Sequence, residues 1–339
     1  MAKQLGVDFE RPLIELETRI SELKRFAQEH KVDLGDEISV LERRLLAEAT
    51  RIYSNLTPWE RVLVARNQKR PQTRDYLPLV FSEFQELFGD KLFADDPAIV
   101  SGFASIDKTQ VMFIGQHKGR DIKERDLCHY GCPNPEGYRK ALLKMKLAEK
   151  LGLPVLTFVD TKGAWCGIGA EERGQSLAIA KNLEAMAILR VPILCIVIGE
   201  GGSGGALGMA VGDRLGIMEN AYFSVISPEG CAAILWRDAQ FAPQAAAALK
   251  MCATDLFDLG LADDVIPEPP GGAHRSPVAA AQALKEYILS ALPEILAVPI
   301  DVLLERRYQR LRSFGVYKEN IVEMARISDP TRAETENKA

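Results

Sequence analysis

The chain has 339 residues, 47% of them hydrophobic and 26% charged, enough apolar side chains for a sizeable core and a length that fits one large domain or two ordinary ones. Forty-two basic against 47 acidic residues give a net charge of -5, which argues against a surface built to coat nucleic acid. The longest apolar run, Val191 to Gly199, is about half of the ~20 residues a membrane helix needs, and MAKQLGVDFERP lacks the apolar stretch of a signal peptide, so neither spanning nor secretion is expected.

In chain order, residues 1–94 read as an N-terminal helical arm. Leu13, Leu16, Ile20 and Leu23 recur at helical spacing, and Ile38, Leu41, Leu45, Ala49 and Ile52 do so after a polar break at Lys31 to Asp36. Thr57-Pro58-Trp59-Glu60 spells a capping box with Pro in the first helical position. A further helix is expected through LPLVFSEFQELFGD. From about residue 97 the pattern changes. AIVSGFASI and TQVMFIGQHKG predict a hairpin turning at Asp107-Lys108. PEGYRKALLKMKLAEKLG predicts a helix stopped by Gly152, then the buried strand LPVLTFVD. GAEERGQSLAIAKNLEAMAIL predicts one long helix, followed by the strand VPILCIVIGE. A strand near AYFSVIS and a helix at CAAILWRD come next, so the core, 95–275, is α/β with parallel pairing. Helices over 276–327 and a polar, mobile tail over 328–339 end the chain.

Two glycine-bearing stretches carry the chemistry. GEGGSGGALGMAVG, Gly199 to Gly212, follows an apolar strand and opens a helix expected to last about two turns before Gly212-Asp213. Glycines let a ligand approach the backbone, and the first N–H groups of the helix have no internal partner, which suits an anionic oxygen. Gly199-x-Gly201-x-x-Gly204 with Glu219 some twenty residues on spells a dinucleotide fingerprint, but that helix is short for one. A Walker loop fails for want of a lysine. An oxyanion hole and a purely structural turn remain. The second stretch, DTKGAWCGIGAEERGQ, repeats the strand-turn-helix pattern one unit earlier. Glu171 and Glu172 suit the start of its helix, with acid-base work as the other reading, and Arg173 suits either a carboxylate or a phosphate. Cys128, His129 and Cys132 lack the second ligand pair a zinc site would want, and six cysteines, most of them scattered singly, read as reduced thiols. His30, His117, His129 and His274 are the only histidines, with His117 and His274 candidates for site lining, and no nucleophile elbow is expected.

GEGGSGGALG, SVISPEGCAAILW, GAEERGQS, NPEGYRKAL and LTPWERV together resemble the alpha subunit of the acetyl-CoA carboxylase carboxyltransferase of bacteria and plastids, from about residue 8 to about 317. The resemblance implies a crotonase-like fold, a ββα spiral core with the site at helix N-termini. It implies carboxyl transfer from carboxybiotin, borne by a biotin carboxyl carrier protein, to acetyl-CoA, giving malonyl-CoA. It also implies a carboxyltransferase beta subunit in an α2β2 assembly, a biotin carboxylase in the full complex, and a cytoplasmic or stromal location. No metal or nucleotide is expected on this chain, since the zinc and the ATP step belong to other subunits, and no nucleic-acid or membrane partner is expected. By motif, the backbone amides of Gly204 and Gly205 are the donors to the ureido oxygen. Gly201, Gly202 and Ser203 shape the turn, Gly163 and Ala164 form a wall or an additional donor beside the biotin, and Gly205→Val is expected to abolish turnover without disturbing assembly. Trp165-Cys166 stand where the family writes Tyr-Pro, and Cys128-His129-Tyr130-Gly131 where it tends to write Arg-Asn-Phe-Gly. Rival readings are a stand-alone enoyl-CoA hydratase or isomerase using Glu171 or Glu172, and a non-catalytic scaffold for the beta chain.

Overall fold

The computed structural model describes residues 8–315. It opens with two helices, Arg11–His30 and Gly35–Tyr53, packed as a hairpin through a narrow apolar stripe that includes Leu13, Ala49 and Tyr53. Lys31, left-handed at φ 54°, ends the first helix inside the polar break. A buried cluster ties this arm to the body. The Glu10 carboxylate accepts from His274 Nε2 at 3.0 Å and is also met by Tyr53 and Arg275. Burial alone would raise the Glu10 pKa, but these partners outweigh it and hold it down at about 2. Thr57 and Glu60 form the expected capping box on the helix Pro58–Ala65.

The sheet has eight strands: β1 (Glu83–Glu86), β2 (Ile99–Ile106), β3 (Thr109–Gln116), β4 (Val155–Thr161), β5 (Ile193–Gly202), β6 (Arg214–Met218), β7 (Tyr222–Ser224) and β8 (Asp264–Ile266). Their order is β1-β2-β3-β4-β5-β6-β8, and β7 pairs with the end of β5. β1 to β3 are antiparallel, with the expected tight turn at Asp107, and every later pairing is parallel. β4 and β5 are buried along their whole length, as strands covered on both faces must be. Phe113 and Phe158 meet edge to face at 5.0 Å in the core beneath them. The helix Pro135–Leu151 stops at Gly152 in the left-handed region, as its sequence predicts.

Three expectations need correction. LPLVFSEFQELFGD is helical only to Val80, within the helix Thr73–Val80, and then extends, so that Glu83 to Glu86 become the edge strand β1 against Gly102 to Ser105. Pairing decides there over a spacing that suits either state. The long helix after Gly167 is two helices, Ile168–Glu172 and Gln175–Ile188, separated by Gly174 at φ 79°. Glu172 therefore ends a short helix rather than starting a long one. The helix after β5 runs only from Ser203 to Leu207, shorter than two turns. β6, β8 and the helices Ala242–Leu249 and Ala253–Asp258 had no counterpart in the sequence reading. Pro277–Leu296 and Ile300–Arg312 form the closing pair, and the expected tail at 328–339 lies outside the described residues.

Candidate active site

β4 and β5 end side by side, and each runs into a glycine turn. The ladder between them is regular up to Val159 and Val197 and resumes at Thr161 and Gly201, so β5 carries two extra residues across the gap. Asp160 fills that gap: its Oδ1 accepts the Glu200 N–H at 2.9 Å and lies 2.4 Å from where a Cβ on Gly199 would stand. The two turns then touch. A Cβ on Gly205 would lie 2.3 Å from Gly163 C and 2.4 Å from Ala164 N, and one on Gly202 would lie 2.1 Å from Lys162 O. The two stretches singled out in the sequence thus form one place, and glycine is required there because backbone packs on backbone.

Gly202 is the N-cap of the Ser203–Leu207 helix, and Gly204 and Gly205 occupy its first turn, with no side chain capping them. Their N–H groups precede the first residue able to find a carbonyl four positions back within the helix. Gly204 is half-buried, and a Cβ there would have only Ile179 Cδ1 nearby, at 3.9 Å. Gly205 is buried. The expectation that Gly205→Val abolishes turnover without disturbing assembly loses its second half, because a side chain at that position must push the two turns apart. Ser203 is exposed with φ 53°, at a sharp strand-to-helix turn inside the letters Gly201-x-Ser203-x-Gly205. Those letters and that positive φ are shared with a nucleophile elbow, which the sequence did not lead us to expect. No histidine serves it: His30 bonds Phe26 O, His117 bonds Glu124, His129 bonds Asn134 and His274 bonds Glu10. The first lining candidate, His117, is buried beside Glu124, and burial holds its pKa below the ordinary value. His274 belongs to the tie of the helical arm.

A buried ionic cluster underlies the turns. Lys118 Nζ reaches Asp160 at 2.6 Å and Glu200 at 2.8 Å, and Glu200 also takes Arg66 at 2.8 Å and the Tyr222 hydroxyl at 2.6 Å. Arg66 continues to Glu229 on the helix Pro228–Leu235. Burial pushes the Glu200 pKa up, but Lys118 and Arg66 overcome it and bring it down to about 2. Beside this cluster Gln116, at the end of β3, accepts the Asp160 N–H at 3.0 Å and donates to Gly205 O at 2.9 Å. None of these contacts was visible in the sequence.

The two stretches that depart from the family pattern meet one another. His129 lies against the Trp165 ring at 4.6 Å, and the Trp165 N–H donates to Pro133 O at 3.0 Å. His129, Tyr130 and Gly131 are consecutively left-handed, at φ 46°, 55° and 82°. A cavity of about 440 Å³ opens beside them, lined among others by Asp96, Leu127, Asn134, Trp165 and Arg173. Arg173 pairs with Glu136 at 2.8 Å and stacks over Phe93, which settles its partner as a carboxylate. Glu171 and Glu172 are exposed. All six cysteines are free, and among the described residues no group of three His, Cys, Asp or Glu side chains is arranged for a metal.

Residues 6–315 match the family model described as acetyl co-enzyme A carboxylase carboxyltransferase-like. An acetyl-coenzyme A carboxylase carboxyl transferase subunit alpha of Rhodopirellula baltica is 51% identical over 93% of this chain and 98% of its own length. One from Thermus thermophilus is 52% identical over 93% of this chain and its entire length. Among solved structures, the beta subunit of Pseudomonas aeruginosa geranyl-CoA carboxylase aligns with a TM-score of 0.53 at 20% identity, over 72% of this chain and 46% of that one. The transcarboxylase 12S core aligns with a TM-score of 0.51 at 20% identity, over 66% of this chain and 44% of that one. The structural likenesses carry the fold, the crotonase-like one of carboxyltransferases. The family rests on the matched length and on the sequence identity: the chain belongs to the alpha subunits of acetyl-coenzyme A carboxylase carboxyl transferase.

Proposed function

We propose that this chain forms the biotin side of a carboxyltransferase site completed by a beta subunit, and that the pair makes malonyl-CoA from acetyl-CoA. The single observation that carries the reading is the contact of the two glycine turns. It leaves the first-turn N–H groups of Gly204 and Gly205 beside a wall made by Gly163 and Ala164. Carboxybiotin, brought by a biotin carboxyl carrier protein, breaks its N–C bond to release CO2, the freed ureido nitrogen takes the acetyl methyl proton, and the resulting enolate carbon attacks the CO2 to give malonyl-CoA. Negative charge grows on the ureido oxygen as that N–C bond breaks. The Gly204 and Gly205 amides hold that oxygen, fixed in place before the reaction and needing no reorganisation during it. Gly201, Gly202 and Ser203 set the turn that aims them, and Gly163 and Ala164 keep the ring from sliding. Such chemistry asks the protein for position and N–H donors, and the lack of a histidine bonded to Ser203 accords with it.

The same reading has the chain work as α2β2 with the carrier protein and a biotin carboxylase, in the cytoplasm or a plastid stroma. Among the described residues no single helix is long and apolar enough to cross a membrane. The hydratase alternative loses ground because Glu171 and Glu172 are exposed, where a general acid needs a shielded site.

Reconstitution tests the proposal. The chain mixed with its beta subunit, malonyl-CoA and free biotin is expected to release acetyl-CoA, and neither chain alone to do so. A complex that assembles without turnover leaves only the scaffold reading, and hydration of an enoyl-CoA by the alpha chain alone contradicts the proposal.

A further inference from the structure

The Ser203–Leu207 helix has five residues, too few to hold its own geometry, because a first turn orders more backbone than its hydrogen bonds repay. Its carbonyl end is held from outside. Gln116 Nε2 and the Tyr138 hydroxyl donate to Gly205 O at 2.9 and 3.2 Å. Asn182 Nδ2 donates to Gly208 O at 3.1 Å, and Thr157 Oγ1 to Met209 O at 2.8 Å. All four donors are fully buried, and they come from β3, β4 and two different helices. Gln116 does more than the others. Its Oε1 accepts the Asp160 N–H, so one carboxamide joins the strand end that leads to Gly163 with the turn that carries Gly205. The orientation of that carboxamide is fixed by its partners, since Gly205 O needs a donor and the Asp160 N–H an acceptor.

We infer that Gln116 is a positioning residue for carboxyl transfer: its carboxamide sets the spacing and angle between the Gly163 wall and the Gly204–Gly205 donors. The inference rests on the reading of those donors given above. Glutamine suits the task because one planar group must donate at one end and accept at the other. Methionine offers no donor and only a weak sulfur acceptor, an ionised glutamate only acceptors, and a protonated glutamate both functions again. The charged groups around it, Lys118, Asp160 and Glu200, are paired among themselves, and Tyr138 shares its carbonyl partner.

The test uses the reconstituted alpha–beta pair with malonyl-CoA and free biotin. Gln116→Met is expected to lower kcat per assembled complex by about tenfold to a hundredfold, with the malonyl-CoA KM within about twofold of the parent, as small misplacements of reacting groups do. Gln116→Glu is expected to be active near about pH 6 and to lose activity towards about pH 9, as the buried carboxyl, its pKa raised by desolvation, ionises and turns an acceptor on Gly205 O. A residue that only fills space gives the glutamate variant a pH profile parallel to the parent's, and that result overturns the inference. So does a parental kcat in the methionine variant. If Gln116→Met does not assemble, the Gln116→Glu profile decides alone. A bulkier Gly204 variant that keeps activity, although its side chain stands before the donor N–H groups, overturns the donor reading itself, whereas loss at Gly204 with a parallel Gln116→Glu profile overturns only the positioning role.

Discussion

The sheet has two strand-end edges, one where its parallel strands begin and one where they finish; both bury charge, and they use it differently. At the edge where β5 and β6 begin, Arg307 is fully buried and donates to Met186 O, Leu189 O, Val191 O and both oxygens of Asp213. It caps one helix and anchors another, and its guanidinium is fully paired. At the edge where β4 and β5 end, Lys118, Asp160, Glu200 and Arg66 satisfy one another, while the N–H groups above them stay without side-chain partners. The same edge carries left-handed His129, Tyr130 and Ser203, a conformation that costs a non-glycine residue about 1–2 kcal/mol each. At the first edge the buried charge ties helices to strands, and at the other some stability is given up to hold the glycine turns open.

Variants at the two edges should separate these roles. The largest effect is expected from Arg307→Met, which strands Asp213 in the interior and should lower the unfolding free energy by about 3–5 kcal/mol in urea titrations. Turnover per folded molecule should stay at the parental level, and a turnover defect would blur the contrast between the edges. Next comes acid. Glu200, beside Lys118 and Arg66, and Glu268, buried against Arg70 at 2.6 Å, are held at about 2 in the folded chain, below the 4.5 of a free glutamate. Their stabilisation is complete above that ordinary value and is lost as the pH falls through 4.5 towards 2. Urea midpoints should drop steeply below about pH 5. Glu200→Gln should be less stable at neutral pH and show a shallower acid slope, and an unchanged slope would remove Glu200 from the account. The smallest effect is expected from Ser203→Gly, which relieves the φ 53° strain and should stabilise by about 1 kcal/mol, read as a small rise in melting temperature.

Much of this was legible in the sequence where the signals are local. The Thr57 capping box, the Gly152 stop, the Asp107 turn and the position of both glycine stretches after apolar strands depend on residues within a few positions of each other. Phe84 and its neighbours became a strand because β2 offered a free edge, and Gly174 broke a helix that its flanking residues would have continued. Neither outcome follows from spacing alone. The hold on the site was not legible at all: Gln116 lies 89 positions from Gly205, and Lys118 lies 82 from Glu200. A buried glutamine is invisible until the strands that bring it to its partners are in place. Ser203 is a different case, because Gly201-x-Ser203-x-Gly205 is spelled out in the chain although no nucleophile elbow was expected.

Gly204→Ala, assayed in the alpha–beta pair with malonyl-CoA and free biotin, bears most directly on the anion-holding turn. The added methyl meets no protein atom closer than Ile179 Cδ1 at 3.9 Å, so folding and assembly should be preserved. The residue-204 N–H is kept, and the account predicts that turnover nonetheless falls by about tenfold to a hundredfold, because the methyl stands in the open space from which the ureido oxygen must approach that N–H. A folded, assembled Gly204→Ala complex turning over at the parental rate would contradict it.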